Sequence, residues 1–257
     1  MALGIALLAG GDPMTALRLG AAMVALQASI GALNDVVDAP HDAGTKAGKP
    51  IPRELVSVGE ARIVVVVAAA LGVVLSAVSG PPVAGLAVLI LAIGFGYDLR
   101  AKGTAWSWLP FALGIPLLPI YAWLGATGSL PPAFLLLVPA GVLGGAALAI
   151  ANALPDLERD RAAGIESVVT RLGAARARSV HVGLLGLVVV IAVAGFGLIR
   201  PPPIAWIALA AAFGLVALGT AIGNAEQPAR RERGWELEAV GIGLAAAIWL
   251  AGVTSGG

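Results

Sequence analysis

The sequence contains eight apolar runs that are long enough, or nearly long enough, to cross a lipid bilayer. They lie at about 14–35, 61–79, 82–97, 106–124, 131–152, 179–199, 203–222 and 237–253. A transmembrane helix needs about 20 apolar residues, and backbone that faces lipid must satisfy its own hydrogen bonds, so helices are the default. Apolar residues make up 59% of the chain and charged residues only 12%, which excludes an ordinary soluble protein. We therefore predict an all-α, polytopic membrane protein that forms one transmembrane domain over residues 1–257.

A shorter apolar run opens the chain. Residues 1–9 could form about 14 Å of helix before Gly10, Gly11, Asp12 and Pro13 end it, whereas the hydrocarbon core is about 30 Å thick. The run also lacks the basic residues that begin a signal peptide. It is predicted to be a truncated first helix, which makes eight to nine transmembrane helices in total.

The basic residues are concentrated in alternate connections. Of the 16 lysines and arginines, 14 follow the first, third, fifth or seventh apolar run, and only Arg18 and Arg200 lie elsewhere. Basic connections mark the cytoplasmic side of a membrane protein. We therefore expect an integral protein of a prokaryotic plasma membrane whose charged loops face the cytoplasm. The formal net charge is only +1 and cysteine is absent, so neither a nucleic-acid partner nor a disulfide framework is expected.

An acidic motif occurs twice, at the ends of the first and fifth apolar runs. Its copies are Asn34, Asp38 and Asp42, and Asn152, Asp156 and Asp160. A helix turns by about 100° per residue, so positions four apart drift by only about 40° and lie on one stripe. Each copy is followed by a charged loop and three further apolar runs. The sequence thus predicts two pseudo-repeated four-helix sets, over about 14–124 and 131–253.

The two acidic stripes are chemically suited to a divalent cation. Clustered carboxylates repel one another unless cations neutralise them, and Mg²⁺ commonly binds one or two carboxylates together with substrate phosphates. Proline removes a helical hydrogen bond, so Pro40 and Pro155 should each interrupt a stripe. Carboxylates in a membrane also mark the ion pathways of secondary transporters, but those sites lie near the midplane. These stripes lie at span ends beside basic loops, which favours a Mg²⁺-diphosphate site with both motifs on the cytoplasmic face.

The motifs and their flanking residues together resemble a known family. The spelling N-D-x-x-D-x-x-x-D is followed by Lys49-Pro50-Ile51-Pro52, and the later D-x-x-x-D runs into Arg161-Ala162-Ala163-Gly164 and then Arg171-Leu172-Gly173. This order is similar to that of the UbiA superfamily of intramembrane prenyltransferases along nearly the whole chain. The resemblance implies two helical bundles around a central cavity, with Mg²⁺ as the cofactor.

The same resemblance implies a reaction. A prenyl group would pass from a polyprenyl diphosphate to a small-molecule or lipid acceptor within the bilayer, with an aromatic or quinone precursor as the first candidate acceptor. Intramolecular cyclisation, which some members of the superfamily perform, is the alternative reaction. No residue of the sequence selects the acceptor.

The resemblance also assigns roles to residues of this chain. The implied metal ligands are Asn34, Asp35, Asp38, Asp42, Asp156 and Asp160. The implied catalytic residues are Asp38, Asp42, Asp156, Asp160 and Tyr97, the last through its ring facing the developing cation. The implied contacts to diphosphate are Asn34, Lys46, Lys49, Arg53, Lys102, Asn152 and Arg161. Positive-inside topology would also explain the basic residues, and an interfacial anchor would also explain the tyrosine.

The two histidines are interpreted without a role in chemistry. His41 lies in the first motif, where a ligand or general base is the alternative to the loop residue that we favour. His181 begins the sixth apolar run, and we expect it at the membrane interface.

We predict that the two acidic stripes form one site. Each stripe alone offers a metal few ligands, and Mg²⁺ completes its octahedron with phosphate oxygens. A non-hydrolysable prenyl thiolodiphosphate should therefore raise the melting temperature only when Mg²⁺ is present, by mass action on the folded state. Asp38→Asn and Asp156→Asn should each remove this stabilisation and turnover. A variant that keeps both in full would show that the motifs act separately.

Overall fold

The computed structural model describes residues 1–42, 49–225 and 227–255, and the side chains of residues 41, 42 and 255 lie outside the description. Within the described chain every regular element is helical, which confirms the all-α prediction. The α-helices are α1 (Ala2–Leu8), α2 (Pro13–Asp42), α3 (Val58–Ala77), α4 (Pro81–Gly96), α5 (Leu109–Thr127), α6 (Phe134–Ala153), α7 (Leu157–Ala162), α8 (Val168–Leu172), α9 (Ala174–Ile199), α10 (Pro203–Gly223) and α11 (Pro228–Ser255). A π-helical turn, Tyr97–Ala101, follows α4, and a 3-10 turn, Leu154–Asp156, separates α6 from α7.

Eight helical segments of the described chain are long and apolar enough to cross a membrane, as the sequence predicts. They are α2, α3, α4 with its π-helical turn, α5, α6 continued through α7, α9, α10 and α11. The largest difference from the predicted bounds is at α11, which begins at Pro228 instead of residue 237. The apolar run marks only the part of a helix that meets lipid. Charged residues such as Arg231 and Arg233 are good helix formers, so they extend α11 beyond that run.

The short helix α1 packs on α2. Its seven residues reach about 10 Å, too little to cross a bilayer. Ile5 and Ala6 are buried. A Cβ added at Gly20 of α2 would lie 2.9 Å from Leu3 Cβ, so the glycine lets the two helices come close. The sequence prediction of a truncated first helix stays a prediction.

The chain divides into two compact units. Unit 1 comprises Met1–Arg100 and Tyr121–Ser129, and unit 2 comprises Ala101–Ile120 and Leu130–Gly257. The division passes through α5, the fourth apolar run, whose residues up to Ile120 belong to unit 2. The predicted pair of pseudo-repeats around a central cavity stays a prediction.

Unit 1 shows how helices pack when lipid replaces water. A Cβ at Gly72 of α3 would lie 2.6 Å from Leu26 Cδ2 of α2, so only glycine admits the leucine at this distance. The buried hydroxyls of Ser76 and Tyr121 lie 2.7 Å apart and form a hydrogen bond. Small residues let helix backbones approach in a membrane, and polar groups that are removed from water need partners inside the protein.

The closest helix pair of unit 2 is also built on glycines. A Cβ at Gly219 of α10 would lie 2.7 Å from the carbonyl oxygen of Gly234 in α11, and one at Gly241 would lie 3.0 Å from that of Ala212. Gly219 and Gly223 are four residues apart on one face of α10, the small-xxx-small spacing of close membrane helix pairs. The two backbones therefore touch, and any larger side chain at these positions must push them apart.

We expect Gly219→Leu to lower the free energy of unfolding by about 1–3 kcal/mol, because overpacking at a backbone contact forces the helices apart. Gly214→Leu is the matched control, since Gly214 lies on the same helix and a Cβ there meets nothing within 4 Å. The measurement is reversible unfolding in detergent by circular dichroism. Equal losses of stability in the two variants would contradict the glycine contact.

Candidate functional site

The first acidic motif lies on the last turns of a single helix. Helix α2 runs through Asn34 and Asp38 to Asp42, so the first two of these side chains share the stripe that the helical period predicts. The interruption expected at Pro40 is wrong, because the helix continues past it. The described part of α2 extends two residues beyond Pro40, so the missing proline N–H costs the helix one hydrogen bond without ending it there.

Two carboxylates of this motif converge on one positive charge. Lys49 Nζ lies 3.1 Å from Asp35 Oδ1 and 3.1 Å from Asp38 Oδ2. The three side chains are mostly buried, with 28% of Asp35, 15% of Asp38 and 23% of Lys49 exposed. A carboxylate pair at this depth needs a cation, and Lys49 supplies one. The contact to diphosphate that the resemblance implies for Lys49 stays a prediction.

Asp98 is a partner of the first acidic motif that the sequence analysis does not identify. It lies in the π-helical turn after α4, only 5% of it is exposed, and its Oδ1 accepts a hydrogen bond of 2.8 Å from Asn34 Nδ2. A carboxylate only accepts hydrogen bonds, so Asn34 must present its amino group to Asp98, which leaves the amide oxygen for a cation. The position of Asp98 in the sequence indicates that it has a polar partner, because it is an acidic residue at the end of an apolar run, directly after Tyr97.

The second acidic motif lies on a broken helix. Helix α6 ends at Ala153, the 3-10 turn Leu154–Asp156 contains Pro155, and α7 begins at Leu157. This confirms the expected interruption at Pro155. A 3-10 helix turns by about 120° per residue, which displaces the polar stripe from the line of a straight α-helix. Asp156 pairs with Arg159, three residues on, at 2.9 Å.

The other predicted site residues are spread over several elements. Tyr97 is half-buried in the π-helical turn, and Asn152 and Asp160 are half-buried around the break after α6. Three basic residues are exposed, namely Arg53, Lys102 and Arg161. Lys46 and the side chains of His41 and Asp42 lie outside the described residues.

His181 is buried inside unit 2, and its expected place at the membrane interface stays a prediction. Only 4% of it is exposed. Its Nδ1 lies 3.0 Å from the carbonyl oxygen of Ala147, and its Nε2 lies 3.1 Å from Glu238 Oε1, which also accepts a hydrogen bond from Thr220. The imidazole is buried and its two ring nitrogens find partners on α6 and α11 of unit 2, contacts that a single sequence does not show.

The residues present fit a Mg²⁺ ion that is bound together with a phosphate. Within the described part of the chain, no three or more His, Asp or Glu side chains group so that they could hold a metal unaided. Asp35 and Asp38 offer two carboxylates, and Asn34 offers an amide oxygen. Such hard oxygen ligands suit Mg²⁺, which retains water and takes phosphate oxygens in its remaining positions.

Comparison with models of known protein families identifies one family that matches the chain. The model of the UbiA prenyltransferase family matches residues 1–235 of the chain. No curated protein matches the chain significantly.

Solved structures with the same fold cover almost the whole chain. An apo UbiA homologue from Aeropyrum pernix K1 is 23% identical and superposes with a TM-score of 0.79, covering 96% of this chain and 94% of that one. A UbiA homologue from Archaeoglobus fulgidus, bound to GPP and Mg²⁺, is 18% identical with a TM-score of 0.73 over 96% and 94%. A digeranylgeranylglyceryl phosphate synthase structure is 16% identical with a TM-score of 0.77 over 98% and 92%. At these identities the likeness concerns the fold.

Lys49→Gln should raise the affinity of the protein for a divalent cation when no diphosphate is present. The ammonium group competes for Asp35 and Asp38, and a partly exposed ion pair of this kind corresponds to an affinity gain of about threefold. Titration with Mn²⁺, followed by electron paramagnetic resonance, measures the change. Arg53→Gln is the control, because Arg53 is basic, close in sequence and exposed. Equal or weaker Mn²⁺ binding by the Lys49 variant would contradict the competition.

Proposed function

The chain belongs to the UbiA prenyltransferase family, and from this membership we propose that it transfers a prenyl group from a prenyl diphosphate to an acceptor within the membrane, with Mg²⁺ as its cofactor. The observation that carries the proposal is the convergence of Asp35 and Asp38 on one positive charge at the end of a membrane-spanning helix. The homologue from Archaeoglobus fulgidus, which is bound to GPP and Mg²⁺, supports the same substrate class.

The roles of the residues follow from their chemistry. Within unit 1, Asp35, Asp38 and the amide oxygen of Asn34 would hold one Mg²⁺ ion, and within unit 2, Asp156 and Asp160 would hold another. The bound ions would neutralise negative charge that develops on the departing diphosphate. Asp98 keeps the Asn34 amide in one orientation.

Lys49 would contact the diphosphate, and the apolar helices would hold the prenyl chain. Once a divalent cation takes up the charge of Asp35 and Asp38, the Lys49 ammonium would donate to phosphate oxygens, and such charge-assisted hydrogen bonds are strong. The eight apolar helices would keep the prenyl chain in the hydrocarbon region. The concentration of 14 of the 16 basic residues in alternate connections supports a plasma-membrane protein whose diphosphate site faces the cytoplasm.

The proposal is tested with purified protein in lipid nanodiscs. Labelled C10 to C50 prenyl diphosphates are supplied with a panel of aromatic and lipid acceptors, and products are separated by chromatography. We expect a prenylated acceptor only with Mg²⁺, and at least a tenfold loss of turnover in Asp35→Asn, because the variant removes one of two converging carboxylates. Glu236→Gln, which alters an exposed carboxylate of α11, should retain activity.

Two other outcomes would change the conclusion. A cyclised hydrocarbon that forms without any acceptor would replace transfer by cyclisation. Failure to consume every prenyl diphosphate, with Mg²⁺ present and the protein folded, would refute the proposed function.

A further inference from the structure

Arg231 is a buried arginine near the start of α11. Only 7% of its side chain is exposed, whereas the neighbouring Arg230 and Arg233 are exposed. A buried charge is costly unless it is paired and hydrogen-bonded. The guanidinium donates from Nε to the carbonyl oxygen of Ala225 at 2.9 Å and from Nη1 to that of Leu154 at 3.1 Å. It thus ties the start of α11 to the 3-10 turn after α6.

The remaining contact of Arg231 reaches the other side of the same turn. Its Nη1 lies 2.9 Å from Glu158 Oε2 and 3.1 Å from Glu158 Oε1. Leu154 begins the 3-10 turn that ends at Asp156, and Glu158 lies in the first turn of α7. Arg231 therefore holds the chain on both sides of Asp156. It does so where the α-helical ladder is broken and cannot fix the backbone by itself.

The contacts of Arg231 with Glu158 and with Leu154 contribute unequally to the stability of the turn. The Glu158 side chain is 62% exposed, so solvent screens its ion pair with Arg231. The hydrogen bond to the Leu154 carbonyl is buried, and removal of a buried donor is costly. We therefore expect the loss of the hydrogen bond to Leu154 to disturb the turn more than the loss of the ion pair with Glu158. The ion pair still neutralises the carboxylate that stands between Asp156 and Asp160 in the sequence.

We propose that Arg231 is the positioning residue of the second acidic motif: through Leu154 and Glu158 it fixes the backbone that presents Asp156 to a Mg²⁺-diphosphate. This inference rests on the proposed function for its ligand and on the contacts of unit 2 for its geometry. Arg231 acts through other residues, so its loss should weaken binding of the metal more than it slows the chemical step. Outer residues that orient metal ligands typically contribute 10- to 100-fold to affinity.

The chain offers matched variants for the test. Arg231→Ala removes every contact, and Arg231→Lys keeps the charge but cannot reproduce the separate Nε and Nη1 hydrogen bonds. Glu158→Gln keeps the Leu154 contact and removes only the screened ion pair. Arg230→Ala is the control, because it removes an exposed arginine from the adjacent position.

The first readout needs no activity. The chain has no cysteine, so one cysteine at the exposed Ala163, directly after α7, can carry a nitroxide label. We expect the label to become more mobile in Arg231→Ala and to a smaller extent in Arg231→Lys, with no change in Arg230→Ala. Equal spectra in all variants would overturn the proposal. If Arg231→Ala does not fold, the difference between Arg231→Lys and Arg230→Ala decides.

The second readout is the Mg²⁺ concentration for half-maximal turnover. We expect this Mg²⁺ concentration to rise about tenfold in Arg231→Ala relative to the unaltered protein. It should rise less in Arg231→Lys than in Arg231→Ala, and it should change less than threefold in Glu158→Gln. A merely structural role predicts a lower kcat with an unchanged Mg²⁺ requirement, and that result would overturn the proposal. If the unaltered protein turns over no prenyl diphosphate, the proposed function fails, whereas the spin-label comparison still decides whether Arg231 orders the motif.

Discussion

The hydrocarbon core of the bilayer is the constraint on which the rest of this structure depends. Because lipid offers no hydrogen bonds, each spanning segment must satisfy its backbone internally, and the eight long apolar segments are helical. The same constraint determines where polar residues can lie and which of them must be paired. The carboxylates of both acidic motifs lie at helix ends, while polar side chains deeper in a unit are paired, as in Ser76 with Tyr121 and His181 with Glu238.

Helices that share an apolar solvent cannot be held together by burial of apolar surface alone, so close packing and a few polar contacts set their arrangement. In unit 2 the glycines of α10 and α11 bring the two backbones into contact. The contact between Gly219 and Gly234 holds the first turns of α11 against α10, and these turns carry Arg231. The hydrogen bonds from Arg231 to Leu154 and Glu158 then act on the turn after α6. Packing of apolar helices is thereby linked to the geometry of an acidic motif.

The sequence predicted what depends on averages along the chain. Eight spans were identifiable because each averages hydropathy over about 20 residues, and the acidic residues were identifiable because their spacing repeats. The start of α11 was not, since its charged first turns are helical without being apolar. Nor were the roles of Asp98, His181 and Arg231, because each depends on a partner from a distant part of the sequence. A buried polar residue indicates that a partner exists, but only the fold shows which one.

Repetition in the sequence also does not guarantee repetition in local structure. The first motif has its 4 + 4 spacing on one continuous helix, where equal steps of sequence become neighbouring positions in space. Its Asp38 and the nearby Asp35 are both paired with Lys49, which follows in the same unit. The second motif has the same spacing across a 3-10 turn, so the helical period no longer aligns its residues. Its geometry must come from contacts outside the segment, and Arg231 supplies them from a helix that begins more than 60 residues later in the sequence.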